Sequence, residues 1–149
     1  TEHAGRADLI RAALAGVWSV PDLPTSCGIA SLEELLHHAG DHVRVGSHTW
    51  AHEHLPDLGA AELRDTLARA LDWLRACPAR TTGWLALPYG GGSPAVEQAA
   101  LDAGYAGVLR ISGGLWNPGR GETRSVPRIN VPAALTVGGL RLRTSGVRR

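Results

Sequence analysis

The chain has 149 residues, of which 44% are apolar, so its size and composition predict one domain over residues 1–149 with a core of its own. Its 15 basic residues, all arginines, nearly balance 14 acidic ones without any run of like charge, which argues against a nucleic-acid partner or an anionic membrane surface. No apolar stretch approaches the roughly 20 residues of a membrane-spanning helix, and residues 1–6 lack the pattern of a signal segment.

The first predicted elements are helical. Apolar residues at helical spacing predict a short helix over residues 8–16, and proline and glycine mark residues 21–28 as a loop. Ser31 and Glu34 have the spacing of a capping box, in which each residue's side chain binds the backbone amide of the other. This pattern predicts a second helix that ends at Gly40.

Strands and helices then alternate. Residues 43–46 read as a short buried strand that leads directly into His48. Leucines and alanines three and four positions apart predict an amphipathic helix over residues 60–76. Residues 84–87 form an apolar run that predicts a strand, and it ends in a glycine-rich loop over residues 88–92.

The last part of the chain continues this order. A helix from Ser93 or Pro94 to Gly104 and a strand over residues 106–109 are predicted, followed by a loop over residues 112–125. A short strand over residues 127–131 and a weak helix with two internal glycines complete the chain. Alternation of this kind favours an α/β fold with parallel strands, in which reactive loops lie at the carboxyl ends of the strands.

Two histidines follow the first predicted strand. His48 and His52 are four residues apart, so one turn of helix would bring both imidazoles to one side, at a separation suited to one divalent metal. A catalytic metal needs at least a third protein ligand, for which a carboxylate is usual. On spacing alone, a helix cap or a polar surface pair remains an alternative.

Other histidines give weaker signals. Glu53 and His54 extend the pair to the sequence His-Glu-His, which resembles the start of an amidohydrolase metal site, but that site needs later histidines and none follows His54. His37, His38 and His42 lie at a helix end and the turn after it, where histidine interacts with the helix dipole. We expect these three to be solvated.

The turn at Pro88-Tyr89-Gly90 also follows a strand. It combines a rigid proline, an aromatic wall and backbone amides that can face a cavity, and such an amide can stabilise an oxyanion. The alternative is a surface turn with a half-buried tyrosine.

These segments together resemble the NodB-type polysaccharide deacetylases, carbohydrate esterase family four. Residues 45–52, Val-Gly-Ser-His-Thr-Trp-Ala-His, are similar to the family's metal motif, and residues 85–90 are similar to the next motif. Residues 103–105 and 127–132 resemble the downstream segments. The resemblance implies a distorted (β/α) barrel that removes acetyl groups from N-acetylated sugars of a polysaccharide or oligosaccharide. It also implies a divalent metal, for which zinc is expected, that polarises the amide carbonyl and activates a water beside an aspartate base.

The resemblance assigns roles to particular residues. The metal ligands are His48 and His52, and the amide of Tyr89 binds the oxyanion. Because Ala86 stands where many members have an arginine, Arg128 is the candidate to orient the base. The residues expected to contact a carbohydrate substrate are Trp50, Leu87, Pro88 and Tyr89.

Three departures limit these expectations. The opening motif Thr-Phe-Asp-Asp-Gly, which supplies the base and the third ligand, is absent, and residues 1–6 resemble the segment just after the second strand. We therefore expect the first strands to lie upstream, the barrel to be incomplete, and this stretch alone to be inactive. The arginine at the Ala86 position and the late catalytic histidine have no counterpart at their usual places. The alternatives are an inactive carbohydrate-binding module of the same fold and a deacylase of small amides.

Overall fold

The computed structural model describes residues 28–39, 42–111, 114–116, 119 and 124–146. The helix predicted over residues 8–16 lies outside these residues. Within the described residues, the helices are α1 (Leu32–Ala39), α2 (Ala60–Ala76), α3 (Pro94–Ala103) and α4 (Val137–Thr144). The strands there are β1 (Val45–Ser47), β2 (Thr81–Ala86), β3 (Gly107–Arg110) and β4 (Ser125–Pro127), and short 3-10 turns span Leu55–Asp57 and Pro88–Gly90.

The strands form one parallel sheet in the order β1-β2-β3-β4. One row of paired residues crosses the sheet, and it runs through Ser47, Leu85, Val108 and Ser125. Because all four strands point the same way, the residues that follow them meet at one edge of the sheet. The predicted α/β architecture with parallel strands is confirmed.

Helix α2 packs on the sheet and supplies five of the twelve buried apolar core residues among those described. Its periodicity buries Leu63, Leu67, Leu71 and Leu74 on one face. These leucines pack in one cluster with side chains from the sheet, from α3 and from the residues that follow β2 and α3, namely Leu85, Leu87, Val96, Ala100, Tyr105 and Val108. Burial of each leucine contributes about 1.5–3 kcal/mol to the stability of the fold. The packing of α2 thereby holds β1 and β2 in position. None of the helices in the described ranges is long and apolar enough to cross a membrane.

The helix ends follow their sequence signals. The amide of Ser31 donates to Oε2 of Glu34 at 2.8 Å, and the amide of Glu34 donates to Oγ of Ser31 at 3.2 Å, which confirms the capping box of α1. Oγ of Ser93 accepts from the amide of Val96 at 3.3 Å at the start of α3. Gly104 ends that helix with a left-handed φ of 103°.

All four strands differ from their predicted bounds, and β2 comprises Thr81–Ala86 instead of residues 84–87 while β3 comprises Gly107–Arg110 instead of residues 106–109. The first strand comprises Val45–Ser47 instead of residues 43–46, and Val43 is 48% exposed. The last comprises Ser125–Pro127 instead of residues 127–131. The lengths of the first and last strands are limited by the neighbouring strands with which they pair. The amide of Val45 donates to the carbonyl of Arg80 at 2.9 Å, and the pairing of β4 with β3 ends at Arg110. Apolar residues beyond the ladder therefore stay outside the sheet.

Candidate active site at the carboxyl edge of the sheet

His48 and His52 lie in a loop after β1, and their ring centroids are 4.7 Å apart with the planes at 79°. The prediction that a turn of helix joins them is wrong. Thr49 has φ 69° and His52 has φ 58°, so two left-handed residues reverse the backbone and bring the rings edge to face. Such conformations are uncommon for residues other than glycine.

The ring of His48 is held by the neighbouring strand. Its Nδ1 lies 2.6 Å from the carbonyl oxygen of Ala86, at the end of β2. A carbonyl oxygen only accepts, so Nδ1 carries the proton, and in the neutral ring Nε2 keeps its lone pair. A histidine that ligates a metal through one nitrogen usually donates from the other in this way.

Glu53 anchors the same loop to helix α2. Its Oε1 accepts from the hydroxyl of Thr66 at 2.7 Å and its Oε2 accepts from the amide of Ala51 at 3.1 Å, while only 9% of the residue is exposed. Burial alone would raise the pKa of Glu53, but the hydrogen bonds from Thr66 and from backbone amides outweigh it and hold the pKa below its usual value. Both carboxylate oxygens have protein donors, so Glu53 acts as a loop anchor. The sequence signal for this role is a threonine on the buried face of α2.

Tyr89 stands beside the histidine pair. Its backbone has φ 55° inside the 3-10 turn Pro88–Gly90, and its side chain is 58% exposed. The ring lies 4.7 Å from that of His52 at 82° and 6.0 Å from that of His54. Nδ1 of His54 in turn pairs with Oδ2 of Asp57 at 2.9 Å. Three histidines and one tyrosine thus form a continuous group at the ends of β1 and β2.

The other predicted substrate contacts are placed differently. Leu87 is 0% exposed within the core, and the side chain of Pro88 is also fully buried, so neither offers a face to a substrate. Their burial follows from packing against the core under α2. Trp50 is 44% exposed, and the guanidinium of Arg69 on α2 lies 4.1 Å above its ring. Trp50 and Tyr89 are therefore the accessible members of the predicted set.

Arg128 directly follows β4. The predicted strand over residues 127–131 would have included it, but β4 ends at Pro127 and pairs with β3, which separates it from β2. Its side chain nevertheless extends to the turn of Tyr89, where Nη2 donates to the carbonyl of Leu87 at 3.3 Å. The length of the arginine side chain makes up for the intervening strand.

The residues present fit part of a metal shell. His48 and His52 supply two imidazoles at one point, and nitrogen ligands of this kind suit zinc. In the part of the chain that the structure describes, no three histidine, cysteine, aspartate or glutamate side chains are grouped to hold an ion. The site is thus a two-histidine arrangement that lacks its carboxylate among these residues.

The comparisons with known proteins agree with this geometry. The sequence model of the family described as polysaccharide deacetylase matches residues 28–108, which are more than half of the chain and contain both histidines and Tyr89. The chain belongs to the polysaccharide deacetylase family. The resemblance drawn from the motifs is confirmed, and with it the fold of this family. A comparison with curated protein sequences finds no match.

A solved structure similar to this family member is the Streptococcus pyogenes deacetylase PplD in complex with acetate. The TM-score is 0.66 and the identity is 18%, and the matched region covers 79% of this chain and 52% of that chain. The chain therefore spans about half the length of that deacetylase. At this identity the likeness establishes a shared fold.

Proposed function

We propose that this chain carries part of the active site of a metal-dependent deacetylase, which hydrolyses the acetamido group of N-acetylated sugars in a polysaccharide or oligosaccharide. The proposal rests on the observation that His48, His52 and Tyr89 lie together at the carboxyl edge of the sheet. The family supports deacetylation, and the similar solved protein is itself a deacetylase.

The proposed metal ligands are His48 and His52. A bound divalent ion, with zinc expected, would polarise the amide carbonyl and lower the pKa of a water molecule. The bond from His48 Nδ1 to the carbonyl of Ala86 fixes one ligand ring before any ion arrives, which lowers the entropic cost of binding. The remaining ligand and the proton acceptor are not among the described residues.

Tyr89 and Arg128 are proposed to act on the substrate side. The left-handed backbone at Tyr89 sets its ring against His52, and we assign its backbone amide to the oxyanion. Arg128 holds the carbonyl of Leu87 at the entry to this turn, and we propose that its guanidinium also orients the base. Trp50 is the proposed aromatic contact for a sugar.

Metal binding is the first test. We expect zinc to bind weakly to this chain, because two imidazoles leave the shell incomplete. Calorimetry with His48→Ala and His52→Ala should show loss of binding, and His42→Ala, an exposed histidine outside the site, is the matched control. If zinc binds with unchanged affinity after both site substitutions, His48 and His52 are not the metal ligands.

Activity is the second test. The complete gene product, supplied with zinc, should release acetate from chitin oligosaccharides, and a chelator should stop the release. A second candidate, an inactive carbohydrate-binding module, is favoured by the lack of a third ligand among the described side chains. Glycan binding without acetate release, whichever divalent metal is supplied, would favour the carbohydrate-binding module over the deacetylase.

A further inference from the structure

A cavity of about 370 Å³ opens beside the candidate active site, at the ends of β3 and β4. The apolar residues that line it are Ile111, Leu115 and Ile129, and two arginines, Arg128 and Arg143, also line it. Its volume lies within the range of small-molecule sites, in which apolar walls surround a few polar groups.

The cavity adjoins the turn that carries Tyr89. A Cβ atom built on Gly90 would lie 2.6 Å from Cβ of Ile111, so this wall packs directly on the turn. Arg128 lines the cavity and also donates to the carbonyl of Leu87, the residue before the turn. A glycan bound at Tyr89 therefore has a neighbouring space in which a second sugar or a substituent fits.

Both arginines are held in place but keep donors free. Nη1 of Arg143 donates to the carbonyl of Asn130 at 2.9 Å, and Nη2 of Arg128 donates to the carbonyl of Leu87 at 3.3 Å. Nε of Arg128 is buried and has no hydrogen-bond partner within the described residues. Among the described residues that line the cavity, none is acidic. Guanidinium groups fixed in this way match the geometry of a carboxylate or a phosphate.

The basic and acidic residues are unevenly distributed along the chain. Residues 104–149 hold eight arginines and a single acidic residue, Glu122, whereas residues 1–103 hold seven arginines and 13 acidic residues. The near-neutral total therefore conceals a basic last third. Arg128 and Arg143, which line the cavity, raise the local concentration of anions there.

We propose that this cavity binds an anionic group, a carboxylate or a phosphate, on a sugar next to the N-acetylated one, so that the substrate is an acidic glycan. This inference rests on the proposed deacetylation for its substrate context. The binding step itself requires neither the metal nor turnover.

The test measures binding to the complete gene product without added metal. Three ligands are compared by calorimetry: a hyaluronan tetrasaccharide, which carries carboxylates, the neutral chitotetraose, and N-acetylglucosamine 6-phosphate. We expect the tetrasaccharide with carboxylates to bind about tenfold more tightly than chitotetraose, and this preference to shrink at high salt. Preferential binding of the phosphosugar over both oligosaccharides would place the anion on the N-acetylated sugar itself and would overturn its placement on a neighbouring sugar.

Substitutions locate the effect. Arg143→Gln should weaken binding of the anionic ligand about tenfold and leave chitotetraose binding unchanged. Arg141→Gln removes the same charge from the same helix outside the cavity and should change neither. Arg143→Lys, which keeps the charge but not the fork, should give an intermediate loss.

Two further results would overturn the inference: equal affinities for the anionic and neutral ligands, or equal effects of the Arg141 and Arg143 substitutions. A preference for acidic glycans that depends on Arg143, in a protein that releases no acetate, would support the subsite and reject the deacetylase. Acetate release without a preference for acidic glycans would support the deacetylase and reject the subsite.

Discussion

Among the residues that the structure describes, three other than glycine adopt left-handed backbone conformations, and all three, Thr49, His52 and Tyr89, lie at the candidate site. Each such conformation costs on the order of 1–3 kcal/mol and persists where neighbouring contacts impose it. The contacts that do so here are the bonds of Glu53 and the packing of Gly90 on Ile111. The geometry of the site thus depends on a few individual side chains.

Gly90→Ala tests the turn at Tyr89. Gly90 has φ 69°, and an added Cβ would collide with the side chain of Ile111 at 2.6 Å. Strain and overpacking should together lower the free energy of unfolding by about 1–3 kcal/mol, measured by urea denaturation. Gly59→Ala is the control, since nothing lies within 4 Å of its added Cβ. Equal stability of the two variants would contradict the packing described for this turn.

Thr66→Val tests the anchor of the histidine loop. The substitution keeps the shape of the side chain but leaves Oε1 of Glu53 without its donor from α2. The loss of a hydrogen bond to a buried carboxylate should cost about 1–3 kcal/mol of stability and weaken zinc binding by His48 and His52. Denaturation and calorimetry measure the two effects. Thr144→Val, which removes an exposed hydroxyl on α4, should change neither, and unaltered zinc affinity in Thr66→Val would refute the anchoring role.

Among the secondary-structure elements, β1 and α2 are joined by one buried side chain. The hydroxyl of Tyr105, which lies after α3, is 3.0 Å from Oγ of Ser47 in β1 and donates to the carbonyl of Leu67 in α2 at 3.1 Å. Tyr105 is 1% exposed. Since His48 follows Ser47 directly, this contact sets where the histidine loop begins.

Tyr105→Phe should lower the free energy of unfolding by about 1–2 kcal/mol at neutral pH, because it removes the buried hydrogen bonds of the hydroxyl with Ser47 and Leu67. Burial raises the pKa of the Tyr105 hydroxyl above its usual 10.0, and the hydrogen bond with Ser47 only partly opposes this. A raised folded-state pKa gives stability that is complete below pH 10.0 and is lost as the pH rises through the folded-state value.

Unfolding measured over a series of pH values therefore distinguishes the two tyrosine variants, Tyr105→Phe and Tyr89→Phe. Tyr105→Phe should have a flatter decline above pH 10.0 than the parent chain. Tyr89→Phe, in which the altered side chain is 58% exposed, should behave like the parent at neutral pH. An identical alkaline decline in the parent and in Tyr105→Phe would contradict the buried position of this hydroxyl.

For the molecule as a whole, the parallel sheet brings four loops from distant parts of the chain to one edge. The histidine pair and the turn of Tyr89 occupy the ends of β1 and β2, and the arginine-lined cavity occupies the ends of β3 and β4. The proposed reactive groups and the proposed recognition groups are thereby separated along the edge. A glycan laid across the strand ends would meet both.

The 149-residue chain, loaded with zinc, should release no acetate from chitin oligosaccharides. Deacetylation needs a proton acceptor beside the metal, and no grouping of acidic side chains with the histidine pair occurs in the described residues. An acetate assay with and without metal measures this. Zinc-dependent release of acetate by the chain would show that the base lies within it.

Features governed by near neighbours in the sequence were predictable. The capping box of α1, the bounds of α2 and the glycine end of α3 depend on contacts three or four residues apart, and each is found as predicted. The motif around His48 and His52 likewise determined the family and, through it, the fold. Sequence alone was sufficient here because the controlling interactions are local or because the motif is specific.

Only the tertiary structure decided how the site is assembled. Nothing local shows that two left-handed residues join His48 to His52, that Glu53 binds Thr66 on α2, or that Arg128 extends past β3 to Leu87. The near-neutral charge likewise hid the basic cavity. These features depend on contacts between residues far apart in the chain, whose geometry is set by the parallel register and by packing on α2, and a one-dimensional pattern does not contain that geometry.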